Sequence, residues 1–193
     1  MSKSNLQVEI CIQDPSLLKC VKEYILPGRN ITLLNKSLTY ATHSVILVPG
    51  NCMVDDNELG ISGIIMSALM NYQSDNLVNT VKALAKDKYD SIIPIGKSLL
   101  VPIEHIEVPE GEIKLYDTEK YTHIIYMPLK YKVNHHITLE NIKQGLHSML
   151  DICYKNNITH ISMPILSVVA HAELEEIINT IQEVVNSFNI AIR

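Results

Sequence analysis

The 193-residue chain has four cysteines, Cys11, Cys20, Cys52 and Cys153, and no CxxC pair among them. That scatter excludes a zinc knuckle and a disulfide framework, leaving reduced thiols as the expectation. Long apolar runs are missing too: Ser44 to Val48 and Ile61 to Met70 fall far short of the roughly 20 residues that a membrane-crossing helix needs. The opening MSKSNLQVEI lacks a signal-peptide apolar core, so a cytoplasmic protein without membrane contact is expected. Sixteen Lys and Arg residues are dispersed under a formal net charge of -5 and form no basic stripe, which argues against nucleic acid as a partner. Glycine is scarce, with seven in all and none after Gly145. The eight histidines include the adjacent His135 and His136, but no i, i+4 pair and no cysteine companion, so no metal site is expected.

What is present suits a globular domain. Hydrophobic residues make up 47% and charged residues 19% of the chain, enough apolar surface for a sizeable core. No repeat or long linker divides the sequence, so one domain over 1–193 is expected. The abundance of Ile, Asn, Lys and Tyr fits an AT-rich genome, such as that of a virus or an intracellular parasite.

Strand-like and helix-like segments alternate. QVEICI at 7–12 alternates apolar and polar, and Asp14 with Pro15 supplies an N-cap and a pre-shaped first turn for a helix. Ile31 to Leu34 and Ser44 to Val48 read as strands, the second apolar enough to be covered on both faces. Helical spacing returns at Ile61 to Tyr72 and again from Ser74 through Leu84. Strands are expected at Ser91 to Ile95, Ser98 to Ile103, His123 to Met127 and Ile158 to Met163, with a polar, hairpin-like excursion near 104–121. Thr138 caps a long helix, and a last helix is expected to begin near His171 with carboxylates in its first turns. This order predicts an α/β fold, a three-layer α/β/α sandwich around a mostly parallel mixed sheet.

In such sheets ligands gather at the carboxyl ends of the strands, where loops expose backbone N–H groups. VILVPGNCMVDDNELGISG, residues 45–63, runs from a buried strand through Pro49, Gly50 and Asn51 into a loop with Gly60 and Gly63, which let the backbone approach a phosphate closely. Asp55, Asp56 and Glu58 read as a solvated acidic loop whose charge opposes a phosphate. Cys52 reads as a small residue in a pocket wall, and Tyr126 and Tyr131 border the site, where either ring can stack on a base.

The order of these segments resembles the macro domain, the family known for binding ADP-ribose. VILVPGN resembles its strand ending in Pro-Ala/Gly-Asn, and ELGISGII its glycine-rich turn into a helix. IIPIGKSLLV, HIIYMPLKY and ITHISMPIL resemble its later strands, and ICIQDPSLLKCV its opening in the phage and large-virus branch. The resemblance implies a ligand site of Gly50, Asn51, Cys52, Gly60, Ile61 and Ser62 on one side, with Pro164, Ser167, Val168, Val169 and Ala170 on the other. It also implies that Asn51 orients the distal ribose; read from its residue type alone, Asn51 equally shapes a turn.

The sequence departs from the family in its second phosphate loop, where PILSVVAHAELEE carries Val168 and Val169 in place of glycines. Lys36 and Ser37 stand where the family places an adenine-binding Asp, and Ser62 where its hydrolases have an Asp. The expectation is a module binding ADP-ribose or a related nucleotide diphosphate, without hydrolase activity, catalytic residues or cofactor. Two alternatives accompany it: a degenerate fold with a closed pocket, serving as a structural or protein-interaction domain, and an ADP-ribosyl or ADP-ribose-phosphate hydrolase.

Overall fold

The computed structural model describes residues 5–54, 74–104, 110, 120–132, 135–166 and 172–192. Its centre is the strand β3 (Val45–Asn51), all seven residues of which are buried, as its β-branched and aliphatic composition requires. Around it a six-stranded sheet is ordered β2-β1-β6-β3-β5-β4, with β1 (Gln7–Cys11), β2 (Ile31–Leu34), β4 (Leu99–Pro102), β5 (His123–Lys130) and β6 (His160–Pro164). Neighbouring strands are parallel except β4, which runs antiparallel to β5 at the edge.

Four helices among the described residues complete the layers. Helix α1 (Pro15–Tyr24) starts as its sequence dictates: the Asp14 carboxylate accepts from Ser16 N–H at 2.8 Å, and Pro15 opens the first turn. Helix α2 spans Ser74–Tyr89. Helix α3 (Leu139–Lys155) is capped by the Thr138 hydroxyl, which accepts from Asn141 N–H at 3.2 Å. Helix α4 (Leu174–Ala191) begins after Glu173, whose N–H donates to the Glu176 carboxylate at 3.3 Å. Its start therefore lies beyond the expected His171, where Glu173 and Glu176 close the first turn on each other.

Strand alternation sends side chains to two cores. Val8, Ile10, Leu47, Ile125, Met127, Ile161 and Met163 pack with α1, α3 and α4. Ile46, Val48, Ile124, Tyr126 and Val101 pack with α2 and a short 3-10 turn at Leu38–Tyr40. The layered α/β architecture expected from the sequence is thus observed. Gly145 lets α3 approach β5: a Cβ there would lie 2.8 Å from Met127 Sδ and 2.9 Å from Leu129 Cδ2.

Buried polar side chains on α4 are satisfied across the fold. Gln182 accepts from Leu26 N–H at 2.7 Å and donates to the Tyr24 carbonyl at 2.8 Å, finishing the C-terminal end of α1. Asn189 accepts from Leu6 N–H at 2.8 Å and donates to the Leu6 carbonyl at 3.1 Å, as a neighbouring strand would.

Two expectations differ from the structure. Residues Ser91 to Ile95 do not form a strand, because Asp90 and Ser91 hold positive φ angles of 51° and 75°, and Pro94 has no N–H for a ladder. Glu9, read as the polar face of a strand, is only 5% exposed. The helix at Ile61 to Tyr72 lies outside the described residues, as does the excursion near 104–121 apart from its ends and Glu110. Among the described residues no helix is long and apolar enough to cross a membrane.

Candidate functional site

Strands β3 and β6 are parallel neighbours, so the loops after Asn51 and Pro164 leave from one edge of the sheet. The carboxyl ends of neighbouring parallel strands are where open α/β sheets offer a crevice. Ladder pairing between β3 and β6 is limited to Ile46 with Ser162, well before that edge. Gly50, Asn51 and Cys52 lie at the end of β3 and Pro164 at the end of β6. Gly60, Ile61, Ser62 and the acidic residues Asp55, Asp56 and Glu58 lie outside the described residues, as do Ser167, Val168, Val169 and Ala170.

The end of β3 is held from several directions. Pro49 and Pro128 each withhold a ladder donor, and the β3–β5 register shifts between Gly50 and Asn51, bringing Asn51 opposite Lys130. The Tyr126 hydroxyl accepts from Asn51 N–H at 3.0 Å and donates to the Asn51 carbonyl at 2.9 Å. Asn51 Oδ1 accepts from Met53 N–H at 2.9 Å, a side-chain turn of the kind asparagine favours. Cys52 N–H donates to the Lys130 carbonyl at 2.9 Å, and the Cys52 carbonyl accepts from Ile93 N–H at 3.0 Å. Val54 then adopts a φ of 50°, a left-handed geometry that a β-branched residue resists.

Glycine at position 50 is explained by the same neighbour. A Cβ there would run into the Tyr126 hydroxyl and ring. Tyr126 is itself buried, so it is not a surface for stacking a base. Its ring serves the core, and its hydroxyl serves the backbone of Asn51. Tyr131 is 44% exposed and lies beside the His135 ring at 5.8 Å between centroids.

The Cys52 thiol is buried, and burial pushes its pKa above the usual thiol value despite backbone hydrogen bonds that lower it. Burial thus favours the thiol over the thiolate that a nucleophile needs. Sequence reading overlooks Lys130. Its signal is the parallel between two apolar runs, VILVPG ending in Asn51 and HIIYMPL ending in Lys130, which meet at one edge.

A second polar cluster lies toward the amino ends of the strands. Glu9 Oε1 accepts from Thr42 N–H at 2.9 Å and the Ser162 hydroxyl at 2.8 Å, while Oε2 accepts from the Thr42 hydroxyl at 2.6 Å. Burial alone would raise the Glu9 pKa, but these hydrogen bonds and nearby His43 outweigh it and hold the carboxyl below its usual range. The His43 and His160 rings lie with centroids 5.0 Å apart and planes tilted by 51°. Among the described residues no group of three or more His, Cys, Asp or Glu is placed to hold a metal ion.

No protein-family model matches the sequence, and no curated protein does. Solved structures do match. The macrodomain of Mycobacterium tuberculosis DarG superposes with a TM-score of 0.55 at 19% identity, covering 77% of this chain and 84% of that one. The macrodomain of Thermus aquaticus DarG gives a TM-score of 0.56 at 13% identity over 93% of this chain and 91% of that one. Thermosipho africanus DarTG in complex with ADP-ribose gives 0.53 at 14% identity over 96% of this chain and 50% of that one. These neighbours lend no support to the phage and large-virus branch. With its six-stranded, mostly parallel sheet and helices on both faces, the chain has the macrodomain fold.

Proposed function

We propose that the chain is a module binding ADP-ribose or a related nucleotide diphosphate at the carboxyl edge of β3 and β6, without hydrolysing it. The observation that carries this reading is the fixed end of β3, where the backbones of Asn51, Cys52 and Lys130 meet at the carboxyl end of the sheet, beside the parallel strand that ends at Pro164. A neighbour of the same fold is in complex with ADP-ribose, which supports the choice of ligand.

A second reading is a closed, degenerate site. It is favoured by the complete burial of Asn51 and by the use of its Oδ1 to cap Met53 N–H, which make it a turn residue.

Calorimetric titration with ADP-ribose, beside AMP and an Asn51→Ala variant, separates the two. The binding reading expects a micromolar dissociation constant, about 8 kcal/mol, weakened in the variant. No heat up to millimolar ligand selects the closed site. Incubation with ADP-ribose 1″-phosphate, with phosphorus NMR as the readout, tests for hydrolysis; released phosphate overturns the claim of binding alone.

A further inference from the structure

We infer that Tyr126 is the positioning residue of this site: its hydroxyl sets the orientation of the Asn51 peptide and, through it, the turn from which the ligand loop departs. The inference rests on the binding reading for its effect on affinity, but its structural half stands without a ligand.

The geometry leaves little freedom. Pro49 and Pro128 deprive this stretch of two ladder donors, and the register slips at Gly50. A strand end so weakly laddered needs another source of partners for its backbone. One hydroxyl meets both needs, accepting from Asn51 N–H at 3.0 Å and donating to the Asn51 carbonyl at 2.9 Å. The ring reaches that position because Gly50 has no side chain in its way.

The consequences run down the chain. Asn51 Oδ1 can receive Met53 N–H at 2.9 Å only while the Asn51 peptide holds its orientation. Val54 stays at a φ of 50° only if the turn before it is held, because a free valine would leave that region. The Asn51 carbonyl also accepts from Val54 N–H at 3.4 Å, so the hydroxyl and the strained residue share one acceptor. Tyr126 therefore acts on a ligand through Asn51 and the turn, without touching it.

Tyr126→Phe removes the hydroxyl and leaves the ring. Ile125→Val, in the adjacent residue but on the other face of the sheet, serves as a destabilised control outside the site. Amide hydrogen exchange of the ligand-free proteins is measured first. Tyr126→Phe should speed exchange at Asn51 and Met53 at least tenfold relative to Val8 and Ile10, and Ile125→Val should not. Unchanged protection at Met53 overturns the inference whether or not the protein binds ADP-ribose.

Titration with ADP-ribose comes second. If the wild type binds, Tyr126→Phe should raise the dissociation constant about tenfold, 1.4 kcal/mol, with Ile125→Val near wild type. Equal weakening by both variants reduces Tyr126 to a core residue and overturns the inference. If the wild type does not bind, the binding reading fails, and the exchange result decides the structural half alone.

Discussion

Ser162 donates its hydroxyl to the Glu9 carboxylate at 2.8 Å from the neighbouring parallel strand, and both residues are buried. With Thr42 donating twice to the same carboxylate, the pair ties β1, β6 and the entry to β3 together. A buried carboxylate is tolerated here because its oxygens receive donors from both sides.

Acid should weaken this tie. A carboxyl held below its usual pKa contributes stability that is complete above the unfolded value, about 4.3, and is lost as pH falls through the folded value. Urea unfolding of wild type and Glu9→Gln should differ by about 1.5 to 3 kcal/mol at pH 7, the range for a hydrogen-bonded charged group, and the difference should shrink as pH falls below the unfolded value. A constant difference at all pH values would mean that Glu9 acts by packing alone.

His43 gives a second pH window, higher up. Burial lowers its pKa, Glu9 pulls it up and His160 pushes it down again, leaving it below the ordinary histidine value. The folded state therefore resists protonation more than the unfolded chain, and stability should decline as pH falls below about 6.5. His43→Asn should flatten the stability profile between roughly pH 5 and 7, where histidine titrates. Retention of the full wild-type slope would assign it to another group.

Gly50→Ala should destabilise the fold by about 1 to 3 kcal/mol, the usual range for overpacking, because the buried Tyr126 ring has nowhere to go. In a Tyr126→Leu background the same change should cost measurably less. Additive effects in that double-mutant cycle would place the strain elsewhere.

Thiol reactivity offers a direct check on the cysteines. Cys11 and Cys153 are pushed up to about 12 by burial, with the Glu9 charge also raising Cys11, and Cys52 is raised as well. Cys20 alone is exposed. Brief alkylation of the native protein at pH 7.5 should label Cys20 alone, with the other three reacting after unfolding. Rapid labelling of Cys52 would reopen a nucleophilic role for it.

The architecture is readable where local pattern and tertiary position agree. The apolar run of β3, the Asp14-Pro15 start of α1 and the Thr138 cap of α3 each carry their cause within a few residues. SIIPI at 91–95 looks like a strand because its apolar content is visible and the positive φ angles at Asp90 and Ser91 are not. Glu9 looks solvated because its partners lie 33 and 153 residues away. The candidate site obeys the same division. Asn51 and Pro164 can be placed from strand ends, whereas the Tyr126 hydroxyl meets Asn51 across 75 residues, a relation that no local period encodes.

The two cores on either face of the sheet bear on how such a chain changes through time. Most of their described members sit in strands and helices, while the proposed ligand edge is formed by the connections that leave β3 and β6. A shared shape at 13% and 19% identity means that most positions differ between these chains, so the architecture tolerates replacement far beyond that edge. A shape carried by two cores and held at such low identity does not by itself fix which ligand, if any, its strand-end edge takes.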